Sequence, residues 1–155
     1  MKNKQFKGET LENKDIIDLL PYSEPFLFVD ELEKVSENGI SGTYTFQQDE
    51  FFYKGHFKDN PVTPGVILTE CMAQIGVVCL GIFLLKDTEP ENCSVALSNS
   101  TIDYYLPVLP GEKVKVVSEK VYFRFNKLKC NVKMFNAEEK LVCKGEISGM
   151  IKANE

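Results

Sequence analysis

Residues 55–85 read GHFKDNPVTPGVILTECMAQIGVVCLGIFLL, a loop with the chain's single histidine followed by one long apolar run. Asn60-Pro61 and Pro64-Gly65 punctuate the loop. Each proline fixes its own φ and drives its predecessor out of the helical region, so Lys58 to Pro64 is expected to be extended or turned. From Val66 to Leu85 no proline intervenes, and Thr69, Glu70 and Gln74 are the only strongly polar side chains. The pattern predicts a helix that is apolar on nearly every side and therefore buried. A membrane span needs about 20 apolar residues, which the run just reaches. The acid and amide in its first third, and the lack of a second such run in the sequence, favour a core helix enclosed by a sheet.

The flanking sequence supplies strands for that sheet. Upstream, Asp15 to Leu20 reads as a short helix stopped by Pro21, and Phe26–Val35 and Gly39–Phe46 read as strands joined at Asn38-Gly39, a hairpin signal. Downstream, Asp87–Asn92 is a charged turn, Ser94–Tyr105 opens the second half of the sheet, and Gly111 turns the chain. Lys127, Lys129, Asn131 and Lys133 alternate with Leu128, Cys130, Val132 and Met134, giving one wet face and one dry. Asn136–Glu139 makes the next turn, after which Leu141, Cys143, Ile147 and Ile151 form the buried side of the last strand. The expected architecture is α+β, an antiparallel β-sheet in meander order wrapped around one long central α-helix. Residues 1–155 make a single domain, with 1–14 a loose N-terminal segment. The sheet's edges make self-association plausible.

Composition narrows the functional classes. With 155 residues and 43% hydrophobic content, the chain can build a real core. A formal charge of −5 argues against nucleic acid as partner, since phosphate neutralisation needs a basic surface. Charge is polarised, however. Lys113 to Lys133 holds seven basic residues against one acid, whereas Met1 to Glu50 holds five against eleven. Such a strip can steer an acidic partner, or simply solvate a strand face. The five cysteines are scattered, lack C-x-x-C spacing and sit in apolar contexts, so they are read as reduced, packed thiols with no metal site. Lysines at the N-terminus have no apolar run behind them, so no secretory signal is read there and the cytoplasm is expected.

The chemistry concentrates at the loop and helix start. Glu70 and Gln74 are four apart and share a helical face. Gly65, with Val66 after it, offers free N–H groups in the first turn, where the helix dipole favours an oxyanion. His56, able to titrate near neutral pH, lies just upstream. An acid, a base and an oxyanion hole are thus placed near one another. Phe51, Phe52, Tyr53 and Phe57 crowd around His56, an aromatic cluster that by itself reads as plain core and, with the resemblance that follows, as the lining of a substrate tunnel.

Three segments carry a resemblance. His56-Phe57 with Asn60-Pro61-Val62-Thr63-Pro64-Gly65-Val66 and Glu70-Cys71-Met72-Ala73-Gln74 is similar to the H-F-P-G-x-P-x-x-P-G and E-A-x-A-Q signature of bacterial 3-hydroxyacyl-[acyl-carrier-protein] dehydratases of the hot-dog fold. Leu20-Pro21 with Pro25–Asp30 resembles that family's LPHRYPFLLVD, and Pro107–Glu112 resembles its P-V-x-P-G-D. The resemblance spans about Ile16 to Ile151. Lys58-Asp59, Tyr22 and Tyr105-Leu106 depart from it. It implies dehydration of (3R)-hydroxyacyl thioesters carried on acyl carrier protein, with His56 and Glu70 catalytic, Gly65 and Val66 holding the thioester carbonyl, and Phe57, Pro64 and Gln74 binding substrate. It also implies no cofactor beyond the carrier's phosphopantetheine, and a homodimer, extending to a trimer of dimers, in which His56 of one subunit faces Glu70 of the other. A hot-dog thioesterase, an (R)-specific enoyl hydratase and a non-catalytic subunit of a dehydratase heterodimer are the alternatives.

Overall fold

The computed structural model describes residues 11–88 and 93–153. Six strands, β1 (Glu31–Ser36), β2 (Gly39–Thr45), β3 (Cys93–Tyr104), β4 (Lys113–Arg124), β5 (Lys127–Asn136) and β6 (Leu141–Ala153), form one antiparallel sheet in the order β1-β2-β4-β5-β6-β3. The order is not the expected meander. A 20-residue helix is about 30 Å long, so Gly65–Leu84 carries the chain across the sheet. It delivers β3 to the far edge, and β4, β5 and β6 then fill the gap.

The helix is α-helical over Gly65–Ala73, π-helical over Gln74–Cys79 and α-helical again over Leu80–Leu84. Every residue from Cys71 to Ile82 is buried, so its apolar surface is consumed by the protein's own sheet. Close approach fixes the crossing. A Cβ on Gly76 would come within 3.0 Å of the Ser118 Cβ and 3.1 Å of Val132, and the Ser118 hydroxyl donates to the Gly76 carbonyl at 2.8 Å. No larger residue leaves that bond room.

Several boundaries differ from the sequence expectations. The short helix runs Asn13–Asp18, and Leu11, inside the segment expected to be loose, is buried; residues 1–10 lie outside the described residues. Strand β1 begins at Glu31. Phe26 to Val29 stays outside the sheet because the Phe26 and Phe28 backbone binds the central helix instead, with the Phe28 N–H donating to Gln74 and the Phe28 carbonyl accepting from the Cys71 thiol; of this backbone only the Asp30 N–H reaches β2, at the Thr43 carbonyl. In the last strand Cys143, Ile147 and Ile151 are buried as expected. Leu141 is half-exposed, because a bulge between the Met134–Cys143 and Phe135–Leu141 pairs turns Val142 inward. The charged turn expected over 87–92 falls partly on residues 89–92, outside the described residues.

Candidate active site

His56 is delivered by a 3₁₀ turn, Phe51–Lys54, whose Phe52 carbonyl accepts the His56 N–H at 3.0 Å. The loop then folds on itself: Phe57 and Asn60 exchange backbone hydrogen bonds, and the Val62 N–H donates to the His56 carbonyl at 2.9 Å. The imidazole Nδ1 lies 2.9 Å from the Val62 carbonyl. A carbonyl only accepts, so Nδ1 carries a proton, and in the neutral ring Nε2 then keeps its lone pair. Phe57, itself exposed, stacks on the ring at 4.1 Å. The aromatic cluster divides: Phe52 joins Phe28 and Phe46 in the core, Tyr53 is buried, and Phe51 and Phe57 face solvent.

Pro64, buried, begins the central helix, and its carbonyl accepts the amides of Ile67 and Leu68. The two amides ahead of them, Gly65 and Val66, have no acceptor among the described residues. This is the unsatisfied first turn that holds negative charge well. Gly65 also makes room: a Cβ there would meet the Tyr104 ring at 3.2 Å. Tyr104 therefore lies across the helix start, with its hydroxyl bonded to the Thr69 hydroxyl. Both Gly65 and Tyr104 line an open cleft of about 280 Å³ that Thr63, Leu68 and Pro107 also border.

One turn further on, Glu70 is half-buried and faces a narrower cleft of about 60 Å³ walled by Tyr22, Val77, Val78 and Leu97 among others. Burial first, and the Glu70 charge second, push the Tyr22 phenol up to about 12. Gln74 has no solvent exposure. Its Oε1 accepts the Phe28 N–H at 2.8 Å, and its Nε2 donates at 3.0 Å both to the Phe26 carbonyl and to Glu70 Oε1. Both N–H bonds of the amide and one lone pair of its oxygen are engaged within the protein, and in this fold Gln74 braces the acid.

The geometry within one chain brings Gly65 and Val66 to the same helix as Glu70, but His56 and Glu70 share no partner. The imidazole contacts Val62 and Phe57, and the carboxylate contacts Gln74. The edge strand β3 borders both clefts: Leu97 lines the one at Glu70 and Tyr104 the one at Gly65, each about half-exposed, as is Tyr105 just past the strand's end. The Tyr53–Thr63 and Thr69–Tyr104 hydroxyl pairs were invisible to sequence reasoning, because their members are far apart in sequence; two hydroxyl residues flanking the histidine loop were the only available sign.

A six-stranded antiparallel sheet around one helix is the hot-dog fold. Among solved structures the chain resembles the dehydratase heterocomplex ApeI:P from Xenorhabdus doucetiae, with a TM-score of 0.76 at 15% identity over 90% of this chain and 91% of that one. It also resembles the thioesterase HI1161 from Haemophilus influenzae, with a TM-score of 0.67 at 18% identity over 94% and 93%. At such identities these likenesses speak to the fold. A family model for the FabA-like domain matches residues 20–150. In sequence the chain is 34% identical over 149 residues to the 3-hydroxyacyl-[acyl-carrier-protein] dehydratase FabZ of Rhizobium johnstonii, covering 92% of each. It is 31% identical over 146 residues to the FabZ of Ehrlichia chaffeensis, covering 92% of this chain and 96% of that one. The chain belongs to the FabA-like family of 3-hydroxyacyl-[acyl-carrier-protein] dehydratases.

Proposed function

We propose that this chain removes water from (3R)-hydroxyacyl thioesters borne on acyl carrier protein, giving trans-2-enoyl thioesters for fatty-acid or related polyene or polyketide synthesis. The observation that carries the chemistry is the His56 imidazole held through Nδ1 by the Val62 carbonyl, on a loop that ends at two helix amides with no acceptor among the described residues. His56 Nε2 takes the proton α to the thioester carbonyl, and the Gly65 and Val66 N–H groups bind the carbonyl oxygen as negative charge grows there. Glu70, braced by Gln74, protonates or orients the hydroxyl leaving from the β carbon; where it orients, the proton taken by His56 goes to that hydroxyl, and water departs. The residues supply acid, base and oxyanion donors themselves; the phosphopantetheine arm arrives with the carrier. Phe57 and Pro64 border the entry to the loop.

The active assembly is a homodimer, extending to a trimer of dimers, in which His56 and Glu70 of different copies converge. Two facts support it: among the described residues the pair has no common contact in one chain, and β3 is a sheet-edge strand that exposes Leu97 and Tyr104. The basic strip steers the acidic carrier in the cytoplasm, although Lys115 and Lys129 of that strip already pair with Glu33 and Glu146.

The test offers purified protein a 3-hydroxyacyl or trans-2-enoyl thioester and follows the conjugated enoyl absorbance. His56→Ala and Glu70→Gln are each expected to lower turnover about a hundredfold or more. Release of free thiol in place of the enoyl signal identifies a thioesterase, and no turnover at any chain length identifies a non-catalytic subunit.

A further inference from the structure

The segment bearing His56 has little packing of its own. From Lys54 to Pro61 every residue except His56 is exposed. Besides the stacked but exposed Phe57, the Val62 carbonyl fixes the imidazole, and Val62 is anchored to the protein body through its buried neighbour Thr63, which is 4% exposed. Thr63 is tied twice. Its N–H donates to the Val108 carbonyl at 2.9 Å, and its hydroxyl lies 2.6 Å from the hydroxyl of Tyr53, which is 7% exposed. Tyr53 sits in the 3₁₀ turn just before the loop, and Thr63 just before Pro64 and Gly65. One buried hydrogen bond thus joins the two ends of the loop. Burial raises the Tyr53 phenol, with the Thr63 bond acting in the opposite sense, so the hydroxyl remains protonated at neutral pH.

We propose that Tyr53 and Thr63 are positioning residues whose hydroxyl pair clasps the His56 loop, holding the Val62 carbonyl where it imposes the Nδ1–H tautomer and leaves Nε2 free, a role that rests on the proposed use of His56 as the base. Thr63 borders the cleft beside Gly65, but its hydroxyl is engaged with Tyr53, and both residues act through Val62. A buried hydroxyl pair is suited to this because each partner left alone would be an unsatisfied polar group, which favours the clasped loop over a slack one.

His56 is the only histidine in the chain, so its imidazole signals need no assignment. Long-range proton–nitrogen correlation on the full chain reads its tautomer and titration directly. In its neutral ring wild type is expected to show Nδ1–H alone, and Tyr53→Phe and Thr63→Val a mixture of tautomers. In the enoyl assay each variant is expected to lose about tenfold in kcat with KM within about twofold, a loss in proportion to a modest misplacement of the base. Thr63→Ser, which keeps the hydroxyl, is expected to stay near wild type. The double variant should be no worse than either single one, because both remove the same bond. If Tyr53→Phe does not fold, Thr63→Val, equal in size to the native residue, carries the same test. Retention of a pure Nδ1–H tautomer in the folded variants overturns the proposal, as does a double variant whose loss is the product of the singles. The two proposals fail separately: His56→Ala with full activity removes the base assignment, while the tautomer measurement still decides the clasp.

Discussion

Replacing Gln74 by leucine separates bracing of the acid from simple space-filling. The side chain is wholly buried and makes three hydrogen bonds, to the Phe28 N–H at 2.8 Å and to the Phe26 carbonyl and Glu70 at 3.0 Å. Phe28 is fully buried, so its N–H is left without a partner, a penalty of about 1–3 kcal/mol. Phe26 is exposed and Glu70 borders a cleft, so water can replace the amide there, and each loss is about 0.5–1.5 kcal/mol. Leucine has nearly the same volume, and its apolar burial returns about 1.5–3 kcal/mol. The expected net destabilisation is about 2 kcal/mol, which for a chain of this size lowers Tm by about 4–8 °C. Thermal unfolding at one fixed protomer concentration measures it, since association itself shifts Tm. Turnover should fall further than the folded fraction accounts for, because Glu70 loses its brace. A variant with unchanged Tm and unchanged kcat would refute the bracing role.

Two other outcomes follow from the same structure. If each active site draws His56 from one copy and Glu70 from another, mixing inactive His56→Ala with inactive Glu70→Gln and allowing exchange should restore about a quarter of wild-type activity, since half the dimers are mixed and one site in each is intact. No recovery after verified exchange would place both groups of each site in one copy. Burial raises the Glu50 carboxyl above its ordinary value, although the Tyr44 hydroxyl donates to it at 2.6 Å. The native state therefore holds this proton more tightly than the unfolded chain, so the stabilisation is complete below the ordinary carboxylate range and is lost as pH rises through the native titration. Glu50→Gln keeps an acceptor for Tyr44 and should gain stability over wild type as pH rises from about 4 to 7, read as the urea midpoint; a pH-independent difference would contradict this.

Much of the molecule was legible before folding because the signals are local. Two prolines and a glycine end the His56 loop, twenty residues without a charge other than Glu70 specify a buried helix, and the period-two pattern from Lys127 to Met134 gives a strand with one dry face. The family and its chemistry came instead from the resemblance of His56-Phe57, Asn60–Val66 and Glu70–Gln74 to a known signature. Tertiary structure alone decided the rest. It placed β3 at the far edge, since strand order depends on how far the helix carries the chain and not on strand propensity. It turned Gln74 from a face-sharing polar residue into a brace, because Phe26 and Phe28 arrive from 48 and 46 residues away to use its amide. It tied Tyr53 to Thr63 across the histidine loop. Hydrogen bonds between distant segments depend on where the chain returns in space, and a pattern of residue types along the chain carries no record of that return.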